Sequence, residues 1–345
     1  MHDTADTSSR TEQGLARDEG NFGWTSLAGR AAMRLLSPGN STSRLSILIY
    51  HRVLSARDPL FPGEVDAQDF ERQMRLIRSS FNMISLPEAV KAMREQSLPP
   101  RAACVTFDDG YADNAEVALP ILRRLGIPAT FFVATGFLNG GRMWNDTIIE
   151  LVRHSPGPVL DLEAVGFGQI DIANIPQRQQ AISTLIGKLK YLPLQERQVQ
   201  IDAMCDHVRL LLPNDLMMTT RQVRELHNAG MEIGGHTVNH PILARLDARE
   251  ARREIAAGKE TLEGIIGAPV RLFAYPNGKP AQDYLAEHVR IVKDLGFDAA
   301  VSTAWGSIPS DPDLYQLPRF TPWDQGANKF LLRMARNLLK RAEVV

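Results

Sequence analysis

Three short clusters in this chain combine residue types that can do chemistry. In Thr106-Phe107-Asp108-Asp109-Gly110-Tyr111, two carboxylates stand side by side. Neighbouring residues of an extended chain point to opposite sides, so one acid can bind a cation while the other takes a proton. The plainer reading is an Asx turn closed by Gly110. In His236-Thr237-Val238-Asn239-His240, two imidazoles stand four residues apart. On one face of a helical turn both would reach a single ion. An ordinary pair of exposed or core histidines is the alternative. In Arg271-Leu272-Phe273-Ala274-Tyr275-Pro276-Asn277-Gly278, a Pro-Asn-Gly turn exposes backbone N–H groups that can hold an oxyanion. Arg271 can orient a carboxylate through a two-pronged contact. A surface arginine before a plain turn is the alternative there.

One carboxylate and two neutral imidazoles suit zinc or another borderline divalent ion, with a coordination position left for water. The same set also serves non-haem iron, so the ligand types do not name the metal.

The elements that would position these clusters alternate. The apolar runs Leu45–Tyr50, Asn82–Ser85, Ala102–Phe107, Pro128–Ala134, Met231–Gly235, Val270–Tyr275 and Phe297–Ser302 read as strands. Helical periodicity covers 66–79, 87–96, 114–125, 220–229, 247–266 and 281–295. Gly126, Gly230, Gly267 and Gly296 stand where four of these helices would stop. Repeated strand–helix pairs predict an α/β fold with a parallel sheet, open or closed into a barrel. Each of the three clusters then follows a strand, where loops of such folds build active sites.

Residues 144–219 break the rhythm, with three helical pieces around a Gly/Pro-rich middle, and read as an insertion. Residues 1–44 read as a polar tail with one amphipathic helix over 22–36, and 45–325 as the catalytic unit. Residues 326–345 read as a basic amphipathic helix carrying Phe330, Leu331, Met334, Leu338 and Leu339 on one side. Such terminal helices can lie on an anionic membrane surface or dock on the barrel. The chain has 39 Lys+Arg and 40 Asp+Glu, a formal net charge of −1, which argues against general nucleic-acid binding. Its two cysteines, Cys104 and Cys205, cannot build a disulfide framework, and Cys104 sits in an apolar run as a core residue. No apolar stretch near the start reads as a secretory leader, so the expected setting is the cytoplasm, with peripheral contact at the inner membrane face as a further hypothesis.

Taken in order, Thr-Phe-Asp-Asp-Gly-Tyr, His-Thr-Val-Asn-His-Pro and Arg-x-x-x-x-Pro-x-Gly resemble the polysaccharide deacetylase family, the NodB-homology group or carbohydrate esterase family 4, over roughly residues 45–325. The resemblance implies a distorted (β/α)7 barrel, here with a helical insertion, and metal-dependent removal of acetyl groups from N-acetylated sugars. By motif, Asp109, His236 and His240 would bind the metal, expected to be Zn2+. Asp108 would be the general base, with Arg271 holding it. The Asn277 N–H would help bind the oxyanion. Tyr111, Tyr275 and Pro276 fall in the same motifs as expected substrate contacts, and an acetylated glycan is the implied partner.

Two departures qualify the match. Many members carry a C-terminal Leu-x-His whose histidine protonates the leaving amine. Here the histidines are His2, His51, His154, His207, His227, His236, His240 and His288, and none lies beyond 288. His51 ends the first strand and should face the same rim. It is therefore the candidate acid, as in the similar circularly permuted subgroup that includes poly-N-acetylglucosamine deacetylases. The Asp-x-x-Asp-Trp element is also missing. Only Asp311-Pro312-Asp313-Leu314 comes near it, and Arg319 is a candidate for its pairing role. Trp144, Trp305 and Trp323 are candidate stacking platforms for a sugar. O-deacetylation, hydrolysis of a small non-sugar amide, and sugar binding without catalysis are the competing functions.

Overall fold

The computed structural model describes residues 37, 44–306, 308, 312–322, 327–340 and 342–345. The helix expected over 22–36, and Trp323, lie outside these residues.

Buried apolar runs form the scaffold. In chain order it consists of β1 (Ser46–Tyr50), α1 (Ala67–Ser80), β2 (Asn82–Met83), α2 (Leu86–Arg94), β3 (Ala102–Phe107), a π-helical turn at Asn114–Ala118 that runs into α3 (Leu119–Leu125), and β4 (Ala129–Val133). After the insertion come α7 (Thr220–Asn228), β7 (Glu232–Gly235), α8 (Ala248–Ile266), β8 (Leu272–Ala274), α9 (Ala286–Asp294), β9 (Ala299–Val301) and α10 (Ala327–Leu339). The insertion itself supplies α4 (Trp144–His154), β5 (Val159–Leu162), β6 (Gly168–Asp171), α5 (Ile175–Leu189) and α6 (Leu194–Val208).

The scaffold strands form one parallel seven-stranded sheet, ordered β1-β3-β4-β7-β8-β9 with β2 beside the start of β3. The sheet curls into a half-barrel. Its margins, β9 and β1, meet through Leu317–Phe320, which bridges Val301 at one end and Leu48 at the other. Alternation along β3 divides its side chains. Val105 and Phe107 join Phe70, Met74 and Phe131 in the large helix-covered core. Cys104 packs with Ile47, Phe132, Leu272 and Val301, a set drawn from strands across the whole sheet, and this marks the concave side. Thr106 and Asp108 share the parity of Cys104.

The sheet hides both faces, so its strands are uninterrupted apolar runs rather than alternating ones. The insertion has its own core, centred on Leu151, Leu160, Leu185 and Met204. Its Gly/Pro-rich middle is an antiparallel hairpin of β5 and β6. Most of the apolar stripe of α10 docks on the barrel, with Phe330, Met334 and Leu338 at most 1% exposed, while Leu339 at its end is 65% exposed. No helix among the described residues is long and apolar enough to cross a membrane.

Candidate active site

The acidic cluster sits at the C-terminal end of β3. Asp108 donates its amide to the Tyr50 carbonyl at 2.9 Å, extending the β1–β3 ladder by one residue. Asp109 then enters the left-handed region (φ 74), and Gly110 follows at φ 91. A Cβ on Gly110 would lie 2.9 Å from the side chain of Val133, so close packing as well as backbone geometry calls for glycine. This reversal turns Asp109 away from Asp108.

The histidines leave the end of β7 on an irregular loop. The helical turn expected for them does not form, because Thr237 (φ 67) and His240 (φ 50) both take left-handed conformations. The loop nevertheless brings the two rings to a centroid separation of 4.7 Å. Asp109 Oδ1 lies 3.4 Å from His236 Nε2 and 3.4 Å from His240 Nε2. One ligand atom from each of the three residues falls within 4.8 Å of the others.

These separations fit a cation. Metal–ligand bonds of ~2.1 Å in tetrahedral arrangement place neighbouring ligand atoms ~3.4 Å apart. Asp109 Oδ1 is buried and makes no hydrogen bond, a costly condition for a carboxylate oxygen unless an ion takes it. The His236 Nδ1–H donates to the Ala274 carbonyl at 2.8 Å, which leaves Nε2 free to ligate. Burial opposes the charge on Asp109, but His240, His236 and His51 outweigh it and hold the carboxyl well below the usual range. Burial pushes His240 down to about 4, toward the neutral form a ligand needs. At His236 burial is outweighed by the carboxylates of Asp109 and Asp108, which raise the pKa and favour a proton that a bound cation would displace.

Asp108 belongs to a different pair. Arg319 Nη1 and Nη2 donate to its two oxygens at 2.6 and 2.7 Å. Arg319 is itself fully enclosed, and its Nε donates to the Ser302 carbonyl at 2.9 Å. Burial raises the Asp108 pKa and the guanidinium lowers it. The guanidinium wins, and Asp108 is ionised. The expectation that Arg271 would hold Asp108 is corrected. Arg271 precedes β8, at the rim opposite the site. Its side chain is 57% exposed and faces Asp298 at 3.8 Å. The pairing role falls to the candidate from the Leu-Pro-Arg segment.

His51 closes β1 with an exposed ring. Its main chain is fixed from below by two buried residues that sequence reasoning missed. Asn114 Nδ2 donates to the His51 carbonyl at 2.8 Å. Asp113 accepts from the Val53 amide at 3.1 Å and from Arg52 Nε at 2.8 Å. The Asp113-Asn114 dipeptide just after the acidic motif was the available signal. The π-helical turn it opens is a feature frequent at functional sites. His51 is among the charges that lower both Asp108 and Asp109, so it stands within electrostatic reach of each.

The expected substrate contacts divide differently. Tyr275 is wholly buried, stacked on Tyr284 at 3.9 Å, with its hydroxyl donating to the Tyr315 carbonyl. The expectation that its side chain touches substrate is corrected: it is part of the core. Pro276 is buried beside it. Asn277 adopts a left-handed conformation (φ 58), and its carbonyl accepts from Thr303. Tyr111 is 4% exposed and donates its hydroxyl to Asp146 at 3.1 Å. Asp146 was also missed. It is buried at the start of α4 with Oδ2 unpartnered, and burial pushes it up to about 7. Trp144 lies under the Arg197 guanidinium, and Trp305 packs on Phe320, so both serve as packing groups.

The polysaccharide deacetylase family model matches residues 95–156 and 198–300, on either side of most of the insertion. YxkH of Bacillus subtilis (strain 168), named as a polysaccharide deacetylase, is 22% identical over 279 residues, 80% of this chain and 71% of that protein. Among solved structures, the Streptococcus pyogenes deacetylase PplD in complex with acetate superposes with a TM-score of 0.54 at 20% identity, covering 81% of this chain and 92% of that one. IcaB from Ammonifex degensii gives 0.54 at 20% identity, covering 84% and 97%. The deacetylase domain of BpsB from Bordetella bronchiseptica gives 0.51 at 19%, covering 81% and 95%. The chain thus carries a match to the polysaccharide deacetylase domain over the residues that hold all three ordered motifs, on a fold shared with solved deacetylases.

Proposed function

We propose that this protein hydrolyses the acetamide of N-acetylated sugars in an oligo- or polysaccharide, releasing acetate and leaving a free amine. The observation that carries the reading is the meeting of Asp109, His236 and His240 around one point, with the arginine-held Asp108 next to Asp109 in the chain.

Asp109, His236 and His240 would hold a divalent cation, with Zn2+ the best fit to a tetrahedral N/O set. Such an ion acidifies water and polarises a carbonyl. The residues supply the rest. Asp108, kept ionised by Arg319, takes the proton of the attacking water. The Asn277 amide makes no backbone hydrogen bond among the described residues, which leaves it free to donate to the developing oxyanion. His51, exposed at the rim, passes a proton to the departing nitrogen. The absence of any histidine beyond position 288 supports that assignment.

The test is acetate release from N-acetylglucosamine oligomers, O-acetylated glycans and small amides, with and without chelator. Chelator-sensitive release from the N-acetylated oligomers is expected. Release confined to O-acetyl esters or small amides would overturn the substrate, and chelator-insensitive release would overturn the metal.

A further inference from the structure

The irregular loop that carries both histidines has an unusual underside. Two of its consecutive amides, Val238 and Asn239, donate to one carboxylate oxygen, Glu254 Oε2, at 3.0 and 2.8 Å. The Asn239 side chain donates to the other oxygen, Oε1, at 2.7 Å. Glu254 lies on α8, outside all three motifs. One turn further along the helix, Gly258 faces the same loop, and a Cβ there would lie 2.8 Å from the Thr237 carbonyl oxygen. The carbonyl side is also anchored. The Thr135 and Gly136 amides donate to the Thr237 and Val238 carbonyls at 3.2 and 2.9 Å. The loop needs such support, because two of its five residues are non-glycine residues at positive φ.

We propose that Glu254 is the positioning residue of the metal loop. Its carboxylate accepts the amides between the two histidines, Gly258 admits the loop against the helix, and together they set the spacing of His236 and His240. This rests on the reading of those histidines as ligands. Glu254 touches neither ion nor substrate. It acts by fixing peptide planes that would otherwise relax from their left-handed conformations. Geometry, rather than charge, is its contribution. A glutamine can keep an oxygen on the two backbone amides, and the Asn239 amide can turn to accept from the new NH2 group.

The experiment is a chelator-competition titration of the full chain with Zn2+, and with Co2+ for its visible spectrum, read as metal dissociation rather than turnover. Removing a group that orients metal ligands typically weakens binding 10–100-fold, and that loss is expected for Glu254→Ala and for Gly258→Ala. Glu254→Gln should stay within a few-fold of the parent, and Glu260→Ala, exposed on the same helix, should leave it unchanged. A folded Glu254→Ala chain with parental Zn2+ affinity would overturn the inference. So would a Glu254→Gln chain as impaired as the alanine variant. Should Glu254→Ala not fold, amide exchange of the parent chain decides. Protected Val238 and Asn239 amides support the clamp, and freely exchanging ones refute it. A parent chain that binds neither ion would overturn the ligand reading itself, a result distinct from any of these.

Discussion

Arg319→Met isolates what Asp108, the proposed general base, requires. In the parent chain the guanidinium is fully enclosed and covers both oxygens of Asp108, which is itself 3% exposed. Methionine fills much of the volume and removes the charge. The carboxylate is then buried without a counter-ion, and breaking one half of such a pair costs roughly 3–5 kcal/mol. The sign follows from linkage. The parent Asp108 pKa lies below its unfolded value, so the pair's contribution is present above the ordinary carboxylate range and fades as pH falls through the folded pKa. In Arg319→Met desolvation remains, opposed only by the more distant charges of His236 and His51. The pKa then rises above its unfolded value, and stability falls with rising pH instead. Denaturant melts across pH 3 to 8 should therefore diverge as pH rises, and the acid limb of kcat/KM should move up by roughly two pH units. Adding Asp108→Asn in the same chain removes the stranded charge and should recover most of the lost stability, with activity abolished. Arg271→Ala should cost no more than about 0.5 kcal/mol, because that side chain stands in solvent. Near-parental stability of Arg319→Met at neutral pH, with an unmoved acid limb, would refute the pairing. So would a larger loss in Arg271→Ala.

Asp109→Ala and His236→Ala should lose bound metal and acetate release together, and metal retained at unit stoichiometry in both would exclude them as ligands. His51→Ala should bind metal normally while turnover drops roughly 10²–10⁴-fold, and unchanged turnover would move the acid elsewhere. Asn114→Ala, which releases the His51 carbonyl, should lower kcat without weakening metal binding, and kinetics matching the parent would count against it. Asp146→Asn should stabilise the fold at pH 8 by roughly 1–4 kcal/mol and change little at pH 4, because burial makes the parent carboxyl bind its proton more tightly when folded. Identical melting curves at both pH values would contradict that.

The strands were legible because a doubly covered sheet writes itself as unbroken apolar runs, and the helices because glycine stops them. The three chemical clusters were legible because strand ends locate active sites in such folds. Four features were not. The Pro-Asn-Gly turn suggested chemistry on both flanks, yet Arg271 precedes β8 and so belongs to the opposite rim, while Tyr275 is needed in the core. Arg319 was a candidate only by its place near the missing Asp-x-x-Asp-Trp element, and its contact with Asp108, 211 positions away, is one that no periodicity reports. The His236–His240 spacing suits a helical turn, but the loop obtains its geometry from Glu254, a surface-typed residue on a later helix. Asp146 is an ordinary helix-start acid in sequence, and only the packing of the insertion around Tyr111 buries it.

The segment Leu317–Phe320 does two jobs with four residues. Its backbone ties one margin of the curled sheet to the other, and its arginine neutralises Asp108, the proposed base, at the end of β3. Architecture and chemistry are thus completed by a single stroke of the chain. A partly assembled molecule, with every earlier strand in place but this one still adrift, would hold a bare acid where an ionised base is required. Competence arrives with closure, so an unfinished fold lacks the ionised carboxylate on which the proposed deacetylation depends.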